Sequence, residues 1–318
     1  MSQGAATRIL ILDPIDPQTI DGLRERYDVT VRLRPSGPEL LELAAAAEVI
    51  VLRSGVRITA EVIGAASALK LIGRAGSGVD NIDLDAARDA GVQVFNLPGE
   101  SANAVAELTF GLLLASARHI ALGDARLRRG AADKAGLVGS ELRGQTLGLI
   151  GLGAIGSRIA QLAGAFEMRV LGCVASPSDE RQRALAGRGV ELVELGALLH
   201  RARFVCVAVP LTASTRGLIG TRELEAMQRN AHLVNVSRAG VVDEAALARA
   251  LASGTIAGAA LDVLGDERDA SHLEELDNLV MTPHIGAMTT EAQQRIGDLL
   301  TAAIDAGLHG QPIASRVC

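Results

Sequence analysis

The chain has 318 residues, of which 48% are hydrophobic and 21% are charged, and its formal net charge at pH 7 is −6. This length is enough for two domains of roughly 150 residues, each with an apolar core of its own. The acidic balance and the aromatic content of 2% predict no nucleic-acid partner, because such partners are bound by basic surfaces and stacking aromatic rings.

The sequence also shows no membrane or metal signal. No apolar run reaches the roughly 20 residues of a membrane-spanning helix, and the first residues lack the charged and apolar regions of a signal peptide. We therefore predict no membrane partner and a cytoplasmic location. Cys173, Cys206 and Cys318 lie far apart and form no cluster with histidine, so neither a disulfide nor a metal site is expected.

Short apolar runs alternate with helical segments along the chain. The first predicted strands are residues 9–12, 49–52, 71–72 and 92–95, with helices at 16–27 and 38–47. A helical stretch (104–118) and a polar, glycine-rich segment (123–143) precede a second series. That series has strands at 146–150, 170–174, 204–209, 233–236, 257–261 and 279–282, and helices at 155–166, 245–252 and 291–308. Only residues 312–317 are strand-like after the last helix.

These strands are continuously apolar, as strands covered on both faces are, and their alternation with helices predicts parallel sheets. The fold class expected is therefore α/β, with two Rossmann-like or flavodoxin-like parallel-sheet domains and a cleft between them.

A glycine-rich loop opens the second series. Gly151, Gly153 and Gly156 follow a predicted strand and lead into a helix. In a dinucleotide site the first glycine permits a tight turn, the second admits the pyrophosphate and the third lets the helix pack on the sheet. Glycines also serve ordinary turns, but their position between strand and helix favours dinucleotide binding.

The companion of this loop departs from expectation. An acidic residue about 20 positions later usually binds the adenosine ribose, and Val174 occupies that position. Ser176, Ser178 and Arg181 are able to hydrogen-bond a 2′-phosphate, whereas the acidic pair 179–180 would disfavour one or supply the missing ribose contact. The residues leave NAD and NADP both open and favour NAD slightly.

Three groups at successive strand ends suit the reduction of a 2-keto acid. Arg238 follows one strand, and its planar fork suits a carboxylate. His284 follows another and is a suitable proton donor. Glu267, in a polar loop after Asp262, would orient the histidine and favour its protonated form. Each has an ordinary alternative as a surface arginine, a structural histidine or a solvated glutamate, but together beside a cofactor loop they indicate a catalytic set.

At these motifs the chain resembles the D-isomer-specific 2-hydroxyacid dehydrogenases, most closely their 3-phosphoglycerate dehydrogenase branch. The resemblance covers nearly the whole chain. Its segments are residues 52–63, 73–87, 104–118, 148–156, 209–219, 235–247, 257–263 and 282–293.

The resemblance implies that His284 is the acid/base, that Glu267 is its partner and that Arg238 binds the substrate carboxylate. It implies a substrate-binding domain of residues 1–101 and 286–318, and a dinucleotide-binding Rossmann domain of residues 102–285. The helix 104–118 would help to form a homodimer. Cofactor contacts are expected from Ser77, Gly151, Gly153, Ala154, Ile155, Gly156, Val174, Ser176, Val209, Pro210, Val236, Ser237, Arg238, Asp262 and Gly286, and substrate contacts from the backbone of Gly76, Ser77 and Gly78.

Three positions depart from the family pattern. Val174 replaces the ribose-binding aspartate, Ala239 replaces the glycine after the arginine, and Arg268 replaces the proline after the glutamate. The chain ends at Cys318, so we expect a short form without the C-terminal regulatory domains of the longer phosphoglycerate enzymes.

The substrate is the most open point. Arg53 and Arg74, together with Arg57, are expected to place positive charge at the substrate mouth and so to bind a second anionic group, as in 3-phosphoglycerate or 3-sulfolactate. The alternative is that these arginines are solvated or paired elsewhere. An uncharged substrate tail would make the protein a glyoxylate/hydroxypyruvate reductase. A third interpretation, from a different class, is a dinucleotide-sensing, corepressor-like binding protein, which would not need the catalytic set.

Overall fold

The computed structural model describes residues 6–265, 273 and 275–318. It divides into two compact units: Met1–Ser101 together with Met288–Cys318, and Ala102–Ala287. Each unit contains one sheet in which every strand pair is parallel. The predicted α/β class with two parallel sheets is confirmed.

The first unit is built on a five-stranded sheet of order β2-β1-β3-β4-β5. Its strands are β1 (Arg8–Ile11), β2 (Asp28–Val31), β3 (Val49–Leu52), β4 (Leu71–Arg74) and β5 (Gln93–Asn96). Its helices are α1 (Pro17–Arg24), α2 (Gly37–Ala46), α3 (Ala60–Ala65), α4 (Leu84–Asp89) and the C-terminal α12 (Thr290–Leu308). Separate apolar clusters cover the two faces of the sheet, which explains why the central strand β3 is buried at every residue.

The second unit has a seven-stranded sheet of order β12-β11-β10-β9-β6-β7-β8. Its strands are β6 (Thr146–Ile150), β7 (Arg169–Cys173), β8 (Val190–Leu192), β9 (Phe204–Val207), β10 (His232–Asn235), β11 (Gly258–Leu261) and β12 (Leu279–Met281). Its helices are α5 (Ala102–Ala117), α6 (Ile120–Arg128), α7 (Ala154–Ala165), α8 (Asp179–Ala186), α9 (Leu195–Arg201), α10 (Thr221–Glu225) and α11 (Glu244–Ala252). The strand order reverses beside β6, and ligands of open parallel sheets bind at such a switch point, beyond the carboxyl ends of the strands.

The apolar pattern does not predict β2 and β8, which are both edge strands. β2 is partly exposed along its whole length, and β8 buries only its first residue. Because an edge strand is covered on fewer sides, it needs no continuous apolar run and leaves no such signal. The strand-like segment 312–317 forms no strand; instead, Arg316 makes an isolated antiparallel bridge to Phe95 at the edge of β5.

Within the described residues, no one helix has the length and apolarity needed to cross a membrane. Together α5 and α6 reach that length, but their axes differ by 63°, and one side of α5 is buried in the core of its own unit.

Candidate functional site

The glycine-rich loop joins β6 to α7, and two of its glycines are required by close contacts. Gly151 has a φ of +97°, and a Cβ built there would lie 2.5 Å from the carbonyl oxygen of Ala208. A Cβ on Gly156 would overlap the carbonyl oxygen of Gly151. The loop therefore turns sharply and packs closely against its own helix, which only glycine permits at these positions.

Gly153 has a different role, because a Cβ there would meet nothing within 4 Å. It is the N-cap of α7, and as a glycine it has no side chain to cap the first N–H groups of the helix. The first helical turn, which contains Ala154 and Ile155, holds no acidic residue. The open space, the backbone N–H groups and the positive end of the helix suit an anion. The residues present therefore fit the pyrophosphate of a dinucleotide.

The predicted adenosine-side residues lie around the ends of β7 and β9. A Cβ on Gly151 would lie 2.7 Å from Cγ1 of Val209, so this side chain borders the loop. Pro210 and Ser176 are exposed and Val174 is half-buried. A pocket of about 560 Å³ lies beside the end of β7, lined by Val174, Ala175, Pro177, Ser178, Asp179, Gln182, Leu192, Val193 and Glu194.

Ser178 and Arg181, two of the residues able to bind a 2′-phosphate, make hydrogen bonds to nearby groups of the chain. Ser178 caps α8, and its hydroxyl accepts a hydrogen bond of 3.2 Å from the N–H of Arg181. The Arg181 guanidinium donates to the carbonyl oxygen of Leu152, in the glycine-rich loop, at 3.5 Å. It is not among the residues that line the pocket.

Arg238 follows β10 and is positioned by a buried amide. Asn235 accepts bonds from the N–H of Ser237 at 3.0 Å and from its hydroxyl at 2.6 Å, and donates to the carbonyl oxygen of Arg238 at 3.2 Å. The Arg238 guanidinium donates to the carbonyl oxygen of Ser237 at 2.8 Å. Ser237 and its neighbour Val236 are buried, whereas Arg238 is half-buried. Asn235 was not among the predicted site residues. A polar amide at the end of a buried strand could have indicated it from the sequence.

Asp262, directly after β11, accepts hydrogen bonds from the loop that contains His284. It is 2% exposed, and its Oδ1 accepts from the hydroxyl of Thr282 at 2.6 Å and from the N–H of Ile285 at 2.8 Å. Its Oδ2 accepts from the N–H of Gly286 at 2.9 Å. The carboxylate thus binds the loop on both sides of His284.

His284 itself has a φ of +53°, a left-handed conformation that is unfavourable for residues with a side chain. Its N–H donates to the carbonyl oxygen of Thr282 at 3.0 Å, and its side chain is half-buried. Strain of this kind persists where the surrounding structure holds it, commonly at functional sites. The predicted partner Glu267 and the neighbouring Arg268 lie outside the described residues.

In the first unit, Arg53 follows β3 in a loop held by polar side chains. Asp13 accepts from the N–H of Arg53 at 2.6 Å, and Asn81 donates to the carbonyl oxygen of Arg53 at 2.7 Å. The guanidinium donates to Sδ of Met288 at 2.8 Å. Burial lowers the pKa of Arg53 and the charge of Asp13 partly opposes this shift, so this loop places a poorly solvated cation near the carboxyl end of the sheet.

Arg74 ends β4, the neighbouring strand, and its side chain packs against Gly76 of the predicted substrate loop. It is 5% exposed and donates to the carbonyl oxygen of Ala75 at 3.1 Å. Its guanidinium occupies the space that a Cβ on Gly76 would need. Asn96 donates to the carbonyl oxygen of Ser77 at 2.6 Å, which orders this loop. Ser77 is exposed and Gly78 half-buried.

The chain is similar to known proteins over nearly all of its length. Residues 110–286 match the family model for the NAD binding domain of D-isomer specific 2-hydroxyacid dehydrogenases. A D-3-phosphoglycerate dehydrogenase of Methanocaldococcus jannaschii is 44% identical over 306 residues, which are 96% of this chain and 58% of that protein. A hydroxypyruvate reductase of Thermotoga maritima is 40% identical over 92% of this chain and 95% of its own.

A solved structure extends the comparison to the fold. The TT0316 protein from Thermus thermophilus has a TM-score of 0.89 and 36% identity, with 98% of this chain and 100% of that chain covered. The chain spans somewhat more than half the length of the first curated relatives, 58% and 59%. With its NAD binding domain matched and its relatives similar along nearly all of its length, the chain belongs to the D-isomer-specific 2-hydroxyacid dehydrogenase family.

Proposed function

We propose that the protein interconverts a 2-keto acid and a 2-hydroxy acid with NAD(H) as the redox partner. The observation that carries this proposal lies in the NAD binding domain. There the adjacent strands β10, β11 and β12 lead into Arg238, Asp262 and the strained His284. A histidine held in an unfavourable conformation by a buried carboxylate, at the same sheet edge as an arginine, suits acid/base work on a carboxylic acid.

The chemistry is divided among these groups. When bound, the nicotinamide supplies the hydride to C2 in the reduction and accepts it in the oxidation. His284 donates a proton to the C2 oxygen during reduction and removes it during oxidation. Arg238 binds the substrate carboxylate through two parallel hydrogen bonds. Glu267 remains the predicted partner that favours the protonated histidine.

The first test separates chemistry from cofactor binding. We expect His284→Ala to lower kcat by about 10²- to 10⁴-fold, the usual contribution of a general acid, while NADH affinity measured by calorimetry without substrate stays unchanged. His309→Ala, an exposed histidine on the C-terminal side of α12, is the matched control. Full turnover by His284→Ala would contradict the assignment.

For the substrate, we propose an acid with a second anionic group, such as 3-phosphoglycerate or sulfolactate. Arg53 and Arg74 support this, because they lie at the ends of adjacent strands and a poorly hydrated guanidinium binds phosphate or sulfonate well. The first unit is then the substrate-binding domain. Hydroxypyruvate is the second candidate, favoured by the 40% identity to a hydroxypyruvate reductase.

A kinetic comparison distinguishes the two substrates. We expect Arg53→Gln to reduce kcat/KM for the doubly anionic acid by about tenfold or more, the loss of one charge-assisted hydrogen bond, and to leave hydroxypyruvate and glyoxylate nearly unaffected. Arg88→Gln, at an exposed arginine of α4 in the same unit, is the control. Equal kcat/KM for charged and uncharged acids, unchanged by Arg53→Gln, would favour the reductase.

We also propose that the protein forms a homodimer, and that α6 and the segment after it form the interface. α6 buries none of its residues, and Ile120, Leu127 and Val138 are 55%, 66% and 91% exposed. Ile120 and Leu127 are seven residues apart and therefore lie on the same face of α6, and exposed apolar side chains on one face mark an association surface. Sedimentation velocity should give a dimer for the native chain and a monomer for Leu127→Glu, and a native monomer would contradict the proposal.

A further inference from the structure

Val174 leaves the adenosine ribose without its usual carboxylate, but a neighbouring strand supplies one close by. β7 and β8 are parallel, and residues 170, 171 and 172 pair with 190, 191 and 192. The N–H of Val193 continues this ladder to the carbonyl oxygen of Gly172 at 2.9 Å. Continued two residues beyond the end of β8, the offset of 20 brings Glu194 opposite Val174, and both residues line the same pocket. Paired strands lie about 4.8 Å apart.

The Glu194 side chain is available for a ligand. It is the N-cap of α9 but makes no side-chain capping bond, and it is exposed. Within the described part of the chain its carboxylate makes no hydrogen bond or ion pair. Its negative charge adds to burial, the larger cause, in raising the pKa of the Cys173 thiol, which places the charge near the end of β7.

The pocket at this point is acidic. Val174 and Glu194 both line it, and its charged lining residues are Asp179 and Glu194. Ribose hydroxyls donate hydrogen bonds readily to carboxylates, whereas a 2′-phosphate would be repelled by them. The nearby cation, Arg181, is directed at the carbonyl oxygen of Leu152 and does not line the pocket.

We propose that Glu194 takes over the role of the acidic residue missing at position 174. Its carboxylate accepts hydrogen bonds from the adenosine ribose of NAD and, together with Asp179, disfavours the 2′-phosphate of NADP. This inference rests on the proposed cofactor and names the residue that selects it.

The test is direct binding to the full chain, measured by calorimetry without substrate. NADH and NADPH are compared, together with the fragments 5′-AMP and 2′,5′-ADP, which differ only at the ribose. The native protein should bind NADH about tenfold or more tightly than NADPH, as expected from hydrogen bonds to a charged group. Glu194→Gln should weaken NADH by about tenfold and leave NADPH unchanged or tighter.

Two further variants keep the result interpretable. Glu191→Gln, the same change on β8 at a residue ion-paired with Arg201 and outside the pocket, should bind both nucleotides like the native chain. Glu194→Arg should increase NADPH affinity, a gain that an unfolded variant is unable to show.

The outcomes separate this inference from the proposed function. Binding of neither dinucleotide by the native chain would overturn both. Normal NADH binding with a NADH-to-NADPH ratio that Glu194→Gln leaves within about twofold would overturn the inference alone. So would a native preference for NADPH that Arg181→Gln removes.

Discussion

A single buried side chain, the carboxylate of Asp262, holds the loop that contains His284. The Asp262 carboxylate accepts three hydrogen bonds from the loop that contains His284, and bonds to an ionised acceptor are stronger than neutral ones. They offset the left-handed backbone of His284, which costs of order 1–3 kcal/mol. We therefore propose Asp262 as a positioning residue for the histidine.

Asp262→Asn tests this role. The amide loses the charge and turns one donor toward the loop, so we expect a loss of about 1–3 kcal/mol in unfolding free energy. We also expect a fall in kcat with little change in KM. Urea unfolding and steady-state kinetics measure both, with the exposed Asp277→Asn as control. Full stability together with unchanged kcat would show that the charge is not needed.

The glycines of the cofactor loop allow a second prediction at this scale, because a substitution at one should affect folding and a substitution at another should affect cofactor binding. Gly151→Ala should destabilise the protein, since its φ is +97° and its Cβ would meet the Ala208 carbonyl. Gly153→Ala should leave thermal stability nearly unchanged, since its Cβ meets nothing, but should weaken NADH where the pyrophosphate approaches. Melting curves and calorimetry measure the two effects. Equal NADH affinity of Gly153→Ala and the native chain would contradict the placement of the pyrophosphate beside Gly153.

At the scale of elements, helix α12 shows how residues far apart in sequence form one structural layer. It packs against α1 and β4 of the first unit, and Arg26 and Tyr27, just after α1, both donate hydrogen bonds to Asp305. The contact with α1 is close, because Gly297 lies directly against Thr19. A glycine in the middle of a helix is unfavourable by itself, so its presence here reflects this packing.

Gly297→Ala should therefore be destabilising despite the better helix propensity of alanine. Its Cβ would overlap the Thr19 hydroxyl, and overpacking of a filled contact costs about 1–3 kcal/mol. Gly22→Ala, on α1 with nothing within 4 Å of its Cβ, should instead be neutral or stabilising by up to about 1 kcal/mol. Urea unfolding of the two variants compares them, and similar stabilities would argue against close packing of the helices.

At the scale of the whole molecule, the two units have separate cores, and the second contains a buried histidine that couples its stability to pH. His232 is hydrogen-bonded to Ser116 of α5 at 2.8 Å and stacks on Phe204 of β9. Burial, followed by the charges of Arg203 and His119, lowers the pKa of His232 to about 4. The unfolded chain, with a histidine pKa near 6.5, therefore takes up the proton first as the pH falls.

Folding stability from this group is thus present above pH 6.5 and is lost as the pH falls from there toward 4. Between pH 7 and 5 we expect a loss of about 2 kcal/mol from His232 alone. His232→Phe should show a correspondingly shallower pH dependence of unfolding free energy, whatever its stability at pH 7, while the exposed His200→Gln should behave like the native chain. Parallel slopes for His232→Phe and the native chain would contradict the buried neutral histidine.

Local patterns in the sequence determined the α/β class, the central strands of both sheets, the glycine-rich loop and the positions of Arg238 and His284 after strand ends. Each of these depends on neighbours in the chain, because continuous apolar runs, turn glycines and polar strand ends are local features. The tertiary structure decided the rest. The edge strands β2 and β8, the packing of Gly297 on Thr19, the hydrogen bonds of Asp262 and the position of Glu194 beside Val174 depend on strand order and register, which bring together residues from distant parts of the chain and leave no local signal.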